Sequence, residues 1–312
     1  MGVAAGVNHA MRSAILAAAD SPRVRRFVGQ HGMRLGAGRF VAGETLDECI
    51  PVLRSLNDRG LAANTTLLGE GVRDEAETHA VVAAYEQVIS RLVDEGLRAN
   101  VALKLTHLGL ELDEELAYAN VKRLVEHAQR LGSFLRIDME QSAFVDPTLR
   151  IYRRLRGDGL DSVGTVLQAY LYRSDADLAD LLELGPNLRI VKGAYLEPPE
   201  IAYPKKVDVD AAYVRLLETS LTSDGYTAVA THDERLIEHS ISFAAKHGIG
   251  RDRYELQMLY GVRSRLQQVL ADRGLKVLVA TPYGPEWYPY LMRRLAERPA
   301  NALFFLKNLL RG

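Results

Sequence analysis

The sequence predicts an α/β protein, a (βα)8 barrel of the TIM type entered through an N-terminal helical segment. Three observations carry this. Eight short apolar runs recur along the chain, separated by amphipathic stretches of helical spacing. The repeat is roughly 20–40 residues, the length of one strand–helix unit. Polar residues gather at the C-terminal ends of the runs, where barrels of this type place their chemistry.

The elements follow in order. The segment 1–45 reads as helical: Asn8–Asp20 is alanine-rich, and Ser21–Gln30 opens with Ser21 as N-cap and Pro22 at the first helical position. LGAGRFV, Leu35–Val41, looks at first like a dinucleotide loop. Val41 stands where the third glycine belongs and no strand precedes it, so it is set aside. The barrel is assigned to 46–312. Its strand runs are Leu61–Gly69, Asn100–Gly109, Phe134–Ser142, Ser162–Leu171, Leu188–Leu196, Thr227–Asp233, Tyr254–Gly261 and Lys276–Gly284. Helical stretches such as Glu75–Gly96, Glu115–Gly132 and Glu234–Gly248 lie between them. A doubly wound open sheet is the competing architecture, but it would carry a phosphate-binding glycine loop after its first strand.

Composition narrows the setting. The chain has 312 residues, 47% hydrophobic and 25% charged, with net charge −1. That balance, with no basic tract, gives no reason to expect a nucleic-acid partner. Cys49 is the single cysteine, which leaves neither a disulfide nor a cysteine-based metal site, and it reads as a helix packing residue. No apolar run approaches the ~20 residues of a membrane span. The N-terminal stretch is too short and too interrupted, by Arg12 and Asp20, for a signal peptide, so a cytoplasmic location is expected.

The strand ends supply the candidate chemistry. Lys104 follows the second run, Asp138 and Glu140 close the third, and Gln168 ends the fourth. Thr231, His232 and Asp233 end the sixth, and Gln257 lies in the seventh. Any one alone fits a hydrogen-bonded core residue; their convergence is what points to a site. The fifth run, LRIVKGAY, is unusual. Strand periodicity puts Arg189, Val191, Gly193 and Tyr195 on one face and Ile190, Lys192 and Ala194 on the other. Two cations in a strand covered on both faces call for an anionic partner.

His107, Asp138, His232 and Asp233 could share a barrel mouth, but no H-x-H or H-E-x-x-H motif supports a metal there. Lys104 or Lys192 could form a Schiff base, and no G-x-S-x-G supports a serine hydrolase. The alternative these residues leave is a lysine- or metal-dependent barrel lyase or hydrolase acting on a carboxylate substrate. The last helix, Pro285–Pro299, has an apolar stripe of Trp287, Tyr290, Leu291 and Leu295, with Arg294 among the stripe positions. Arg293 beside it points about 100° away. An adjacent arginine pair on a terminal barrel helix suits a carboxylate or phosphate group.

With these residues assembled, the chain resembles the bacterial single-function proline dehydrogenases. The carriers are LGE at 68–70, LKLT at 103–106, RIDME at 136–140, QAYLYR at 168–173, RIVKGAY at 189–195, ATHD at 230–233, ELQMLYG at 255–261 and WYPYLMRRLAERPAN at 287–301. The resemblance implies a distorted (βα)8 barrel with non-covalent FAD at the strand ends. It implies oxidation of L-proline to Δ1-pyrroline-5-carboxylate, with electrons passed to a quinone through transient contact at the inner face of the membrane.

It also implies roles. Arg189 corresponds to the family arginine beside the reacting end of the flavin, and Val191 and Gly193 to backbone contacts with the cofactor. Gln168, Lys206, Thr231, His232 and Glu297 match further FAD contacts. Arg293 and Arg294 match the pair that grips the proline carboxylate. Lys104 matches a lysine over the ring, oriented by an ion pair with Asp138, while Tyr195 and Leu259 wall the pocket. Glu70 matches a glutamate that gates the site by pairing with Arg293. Two departures stand out: Leu196 replaces a frequent aromatic, and Ala280 stands where the family has tyrosine two residues before Pro282. A catalytically silent proline-binding barrel would keep the arginine pair without the redox chemistry.

Overall fold

A computed structural model of the chain describes residues 21–297, apart from 23–25, 27, 30, 31, 34 and 35; the side chains of Arg293, Ala296 and Glu297 lie outside the description. Eight parallel strands close into a barrel in sequence order. They are β1 (Ala62–Leu67), β2 (Ala99–Leu103), β3 (Leu135–Ile137), β4 (Val163–Gln168), β5 (Asn187–Val191), β6 (Tyr226–Ala230), β7 (Tyr254–Leu259) and β8 (Val277–Tyr283). Each falls within one residue of the apolar run that announces it.

The helices are α1 (Leu46–Asp58), α2 (Glu75–Asp94), α3 (Glu114–Arg130), α4 (Val145–Gly157) and α5 (Ser174–Leu182). They continue as α6 (Lys206–Thr222), α7 (Glu234–Lys246), α8 (Ser264–Asp272) and α9 (Trp287–Glu297). Local chemistry sets their starts. Thr45 and Glu48 form a reciprocal capping box at α1, and the carboxylates of Asp74, Asp113 and Asp233 accept backbone N–H groups at α2, α3 and α7. Cys49 is buried in α1, where its Sγ lies 3.5 Å from Thr65 Oγ1 and burial pushes the thiol up to about 11. It is a packing residue.

The ring departs from a regular barrel at one place. α1 packs against β1 and β8, in the outer position that the helix after β8 would otherwise fill. α9 instead joins a second apolar cluster in which Trp287, Leu291 and Leu295 meet Leu68 and Val262, residues of the loops after β1 and β7. It therefore lies over the C-terminal mouth. Of the helical segment expected over 1–45, residues 1–20 lie outside the described residues. The part nearest the barrel is fastened to it: Ala42 N–H donates to Pro282 C=O at 2.8 Å, and Gly284 N–H to Gly43 C=O at 3.0 Å. Ala37, Phe40 and Val41 pack on α9 in the same cluster, and Trp287 Nε1–H donates to Glu44 Oε1 at 2.7 Å.

A belt of polar pairs runs round the outside. Arg54 meets Glu95, Glu86 meets Arg123, Glu114 meets Arg150, Asp146 meets Arg173, Asp175 meets Arg215, Glu218 meets His239 and Glu238 meets Arg273. Each joins one helix, or its cap, to the next. Arg59 and Gln268 close the circle between α8 and α1.

The barrel floor is built around a buried arginine. Arg136 Nη1 donates to the carbonyls of Thr165 at 2.9 Å and Asn187 at 2.7 Å, and Nη2 to the Asn187 side chain. Burial, and after it repulsion from Arg189, lowers its pKa to about 9, which leaves it charged at neutral pH. Gly164 makes room for it, because a Cβ there would lie 2.4 Å from Arg136 Nη1 and 2.6 Å from Asn187 O. Gly164→Ala is expected to destabilise the fold by about 1–3 kcal/mol through overpacking. An unchanged denaturant midpoint would show that the floor can yield.

Candidate active site

At the mouth the inward positions of the strands converge on Arg189. Its Nε donates to Gln257 Oε1 on β7 at 2.5 Å, Nη1 to Asp138 Oδ1 past the end of β3 at 2.6 Å, and Nη2 to Asn64 Oδ1 on β1 at 3.1 Å. One side chain thus ties β5 to three other strands. Asn64 in turn donates to Asn100 on β2, and Gln257 to Glu255 Oε1 at 2.6 Å. A guanidinium carries five N–H donors. Among the described residues three are taken, so two remain for a ligand.

Lys104, one residue beyond β2, pairs with Glu70 Oε1 at 2.9 Å. This corrects the expected partnership, in which Asp138 held Lys104. Asp138 projects inward at the depth of Arg189, and the long planar fork of the arginine claims its carboxylate. Lys104 stands nearer the rim, where the loop after β1 delivers Glu70. The gating pair of Glu70 with Arg293 lies outside the described residues, as does the side chain of Glu297.

Beside Lys104 the chain is held from below. Thr106 donates to Glu140 through its N–H at 3.1 Å and its hydroxyl at 2.6 Å, and burial holds that carboxyl above its ordinary range. Gln168, also buried, gives an N–H to the Glu140 carbonyl at 2.9 Å. His107 is kept neutral: burial, then the charge of Lys104, lowers its pKa to about 4.

The other expected cofactor contacts lie around the ends of β5 and β6. The Val191 carbonyl accepts the Ala169 N–H at 2.8 Å. Gly193 has φ +111°, and a Cβ on it would fall 2.1 Å from the Tyr170 ring, so the protein itself already demands glycine there. Lys206 pairs with Asp210, which Lys192 also reaches at 2.5 Å, with Asp233 Oδ2 3.6 and 3.9 Å from the two ammonium groups. Burial alone would raise Asp210, but the bonds from both lysines outweigh it and hold the carboxyl below its usual value. Thr231 Oγ1 accepts the Asp233 N–H at 3.2 Å. His232 Nε2 accepts the Leu259 N–H at 2.9 Å, which fixes that nitrogen as the unprotonated one.

Ala280 sits between Leu259 on β7 and Asn64 on β1 in strand register, on the inward face. Tyr283 and Tyr288, the two tyrosines nearest in sequence, are both buried in apolar clusters, and Leu259 packs against the cluster that holds Tyr288. Tyr195 is half-buried in the loop after β5. On α9 the Arg294 guanidinium lies 5.3 Å from the centre of the Tyr290 ring, one turn back. Of the three side chains bonded to Arg189, Asn64 is the one not signalled among the strand-end residues. An amide at an inward position of the first strand, Ala62–Leu67, was the available sign.

Residues 49–307 match the model of the proline dehydrogenase family. The chain belongs to this family. It is 43% identical over 310 residues to "Proline dehydrogenase" of Deinococcus radiodurans, covering 98% of this chain and 100% of the relative. It is 40% identical over 301 residues to "Proline dehydrogenase 1" of Bacillus subtilis, covering 96% and 99%. Among solved structures, proline utilization A from Bdellovibrio bacteriovorus superposes with a TM-score of 0.80 at 24% identity, covering 87% of this chain and 33% of that one. That likeness speaks for the barrel. Membership in the proline dehydrogenase family makes the chain an oxidoreductase, and the lyase and hydrolase alternatives give way to it.

Proposed function

We propose that the chain oxidises L-proline to Δ1-pyrroline-5-carboxylate with non-covalently bound FAD and hands the electrons to a quinone. The observation that carries this is the Arg189 network: a cation fixed by three strands at the barrel mouth, with two N–H groups to give. Such a preorganised donor suits a group that gains negative charge during reaction. The donor set around it fits the cofactor. Arg189, Val191, Gly193, Gln168, Thr231, His232 and Glu297 would hold it, and Lys206, on an exposed first turn of α6, would serve its phosphates. When bound, the flavin supplies the acceptor for the hydride that leaves the proline ring.

The chain's own residues do the rest. Arg294, with Arg293, binds the carboxylate. Lys104, paired with Glu70, stands above the ring on this reading, where a nearby ammonium favours the neutral form of the substrate nitrogen. As the hydride leaves the carbon beside nitrogen, the C=N bond forms and the N–H proton passes to water. Tyr195, Leu259 and Ala280 wall the ring. No helix among the described residues is long and apolar enough to cross a membrane. Quinone reduction on this reading takes place in transient contact at the inner face of the membrane.

The decisive experiment is optical. Purified protein should be yellow, and proline added without oxygen should bleach the visible flavin bands. A colourless protein that FAD cannot reconstitute would remove the reading. Ala280 offers a finer test. Ala280→Tyr should fill the space beside Leu259, raising kcat/KM for proline and lowering any activity on 4-hydroxyproline, a shift in preference of about 10-fold or more. If neither substrate responds, Ala280 lies outside the substrate pocket.

A further inference from the structure

His107 is a buried residue that the reaction as described leaves without a task. It is 8% exposed, and its Nδ1 meets no hydrogen-bond partner among the described residues. An imidazole that neither bonds through that nitrogen nor carries charge acts here chiefly through its shape. The shape is closely matched. A Cβ on Gly69 would lie 2.4 Å from both Cε1 and Nε2 of the ring, and Gly69 is not in the left-handed region, so the ring alone excludes a side chain there. Tyr85 meets the ring edge-on, 6.1 Å between centres, and donates its hydroxyl to the Leu67 carbonyl at 3.2 Å. The preceding residue, Thr106, is pinned by Glu140. The next residue after Gly69 is Glu70, the partner of Lys104.

We infer that His107 is a positioning residue: its flat ring props the turn at Gly69 so that the Glu70 carboxylate reaches Lys104. The inference rests on Lys104 belonging to the proline site. It makes Gly69 and His107 a matched pair, since the first must be small because the second is flat and close.

Steady-state proline oxidation by the flavin-loaded enzyme, with flavin content and Tm measured for each variant, tests this in Gly69→Ala, His107→Ala and the double variant. Gly69→Ala is expected to lose about 10-fold in kcat/KM, chiefly through KM, because the added methyl displaces the turn. In the double variant the ring is gone and the methyl has space, so its kcat/KM should fall within about threefold of His107→Ala alone. His107→Phe, which keeps a flat ring, should restore most of what His107→Ala loses, and it carries the test if Gly69→Ala fails to fold.

A Gly69→Ala enzyme with lowered Tm but unaltered KM would overturn the inference, as would losses that simply add in the double variant. Lys104→Met separates the two levels. If it alone is impaired while Gly69→Ala keeps its KM, the positioning role fails and the site stands. If Lys104→Met is unimpaired, the site reading fails and takes the inference with it.

Discussion

Arg189→Met should cost the enzyme about 10²–10³ in kcat, the usual loss when one preorganised donor is taken from developing charge. It should also weaken the cofactor site itself. Asp138, Asn64 and Gln257 each give an oxygen to this guanidinium, and methionine leaves all three oxygens without it. Asn64 and Gln257 are buried, and buried polar groups stranded in this way cost about 1–3 kcal/mol each, so lower flavin content and a lower Tm are expected together. Arg189→Lys keeps the charge but reaches only part of the network, and should fall between. Wild-type turnover and flavin content in the methionine variant would place the reacting end of the cofactor elsewhere.

Arg294→Met should behave differently. The residue lies on α9, over the mouth, with its guanidinium against Tyr290. A charge-assisted bond to a carboxylate contributes about 1.5–3 kcal/mol, so kcat/KM for proline should fall about 10- to 150-fold. Flavin content should stay normal if, as proposed, this arginine serves the substrate. A variant that lost its flavin but oxidised proline at the usual rate would assign this arginine to the wrong ligand.

What the sequence made legible, and what it did not, divides along one line. The strands were legible because each is a short apolar run bounded by turn residues. The strand-end residues were legible because the architecture fixes where chemistry sits. Partnerships were not. Arg189 reaches residues 64, 138 and 257, far apart in the chain, and only closure of the barrel brings them to one guanidinium. Likewise Lys104 takes Glu70 because of its depth in the barrel, which spacing along the chain does not encode. The place of α9 was hidden for a related reason. Its amphipathic stripe says that one face is covered, and the same stripe would serve on the flank of the barrel or across its mouth.

The belt of polar pairs between successive outer helices has a bearing on heat. Hydration of charged groups carries a strongly negative entropy, so stripping water from them becomes less unfavourable as temperature rises, while apolar burial levels off. Exposed pairs of this kind do little singly in the cold and are weakened by salt. Here they join each helix to its neighbour around the whole circumference, with Arg59 and Gln268 closing the ring through a hydrogen bond from a charged to a neutral side chain. The outer wall is therefore fastened by contacts whose share in holding the barrel closed grows on warming.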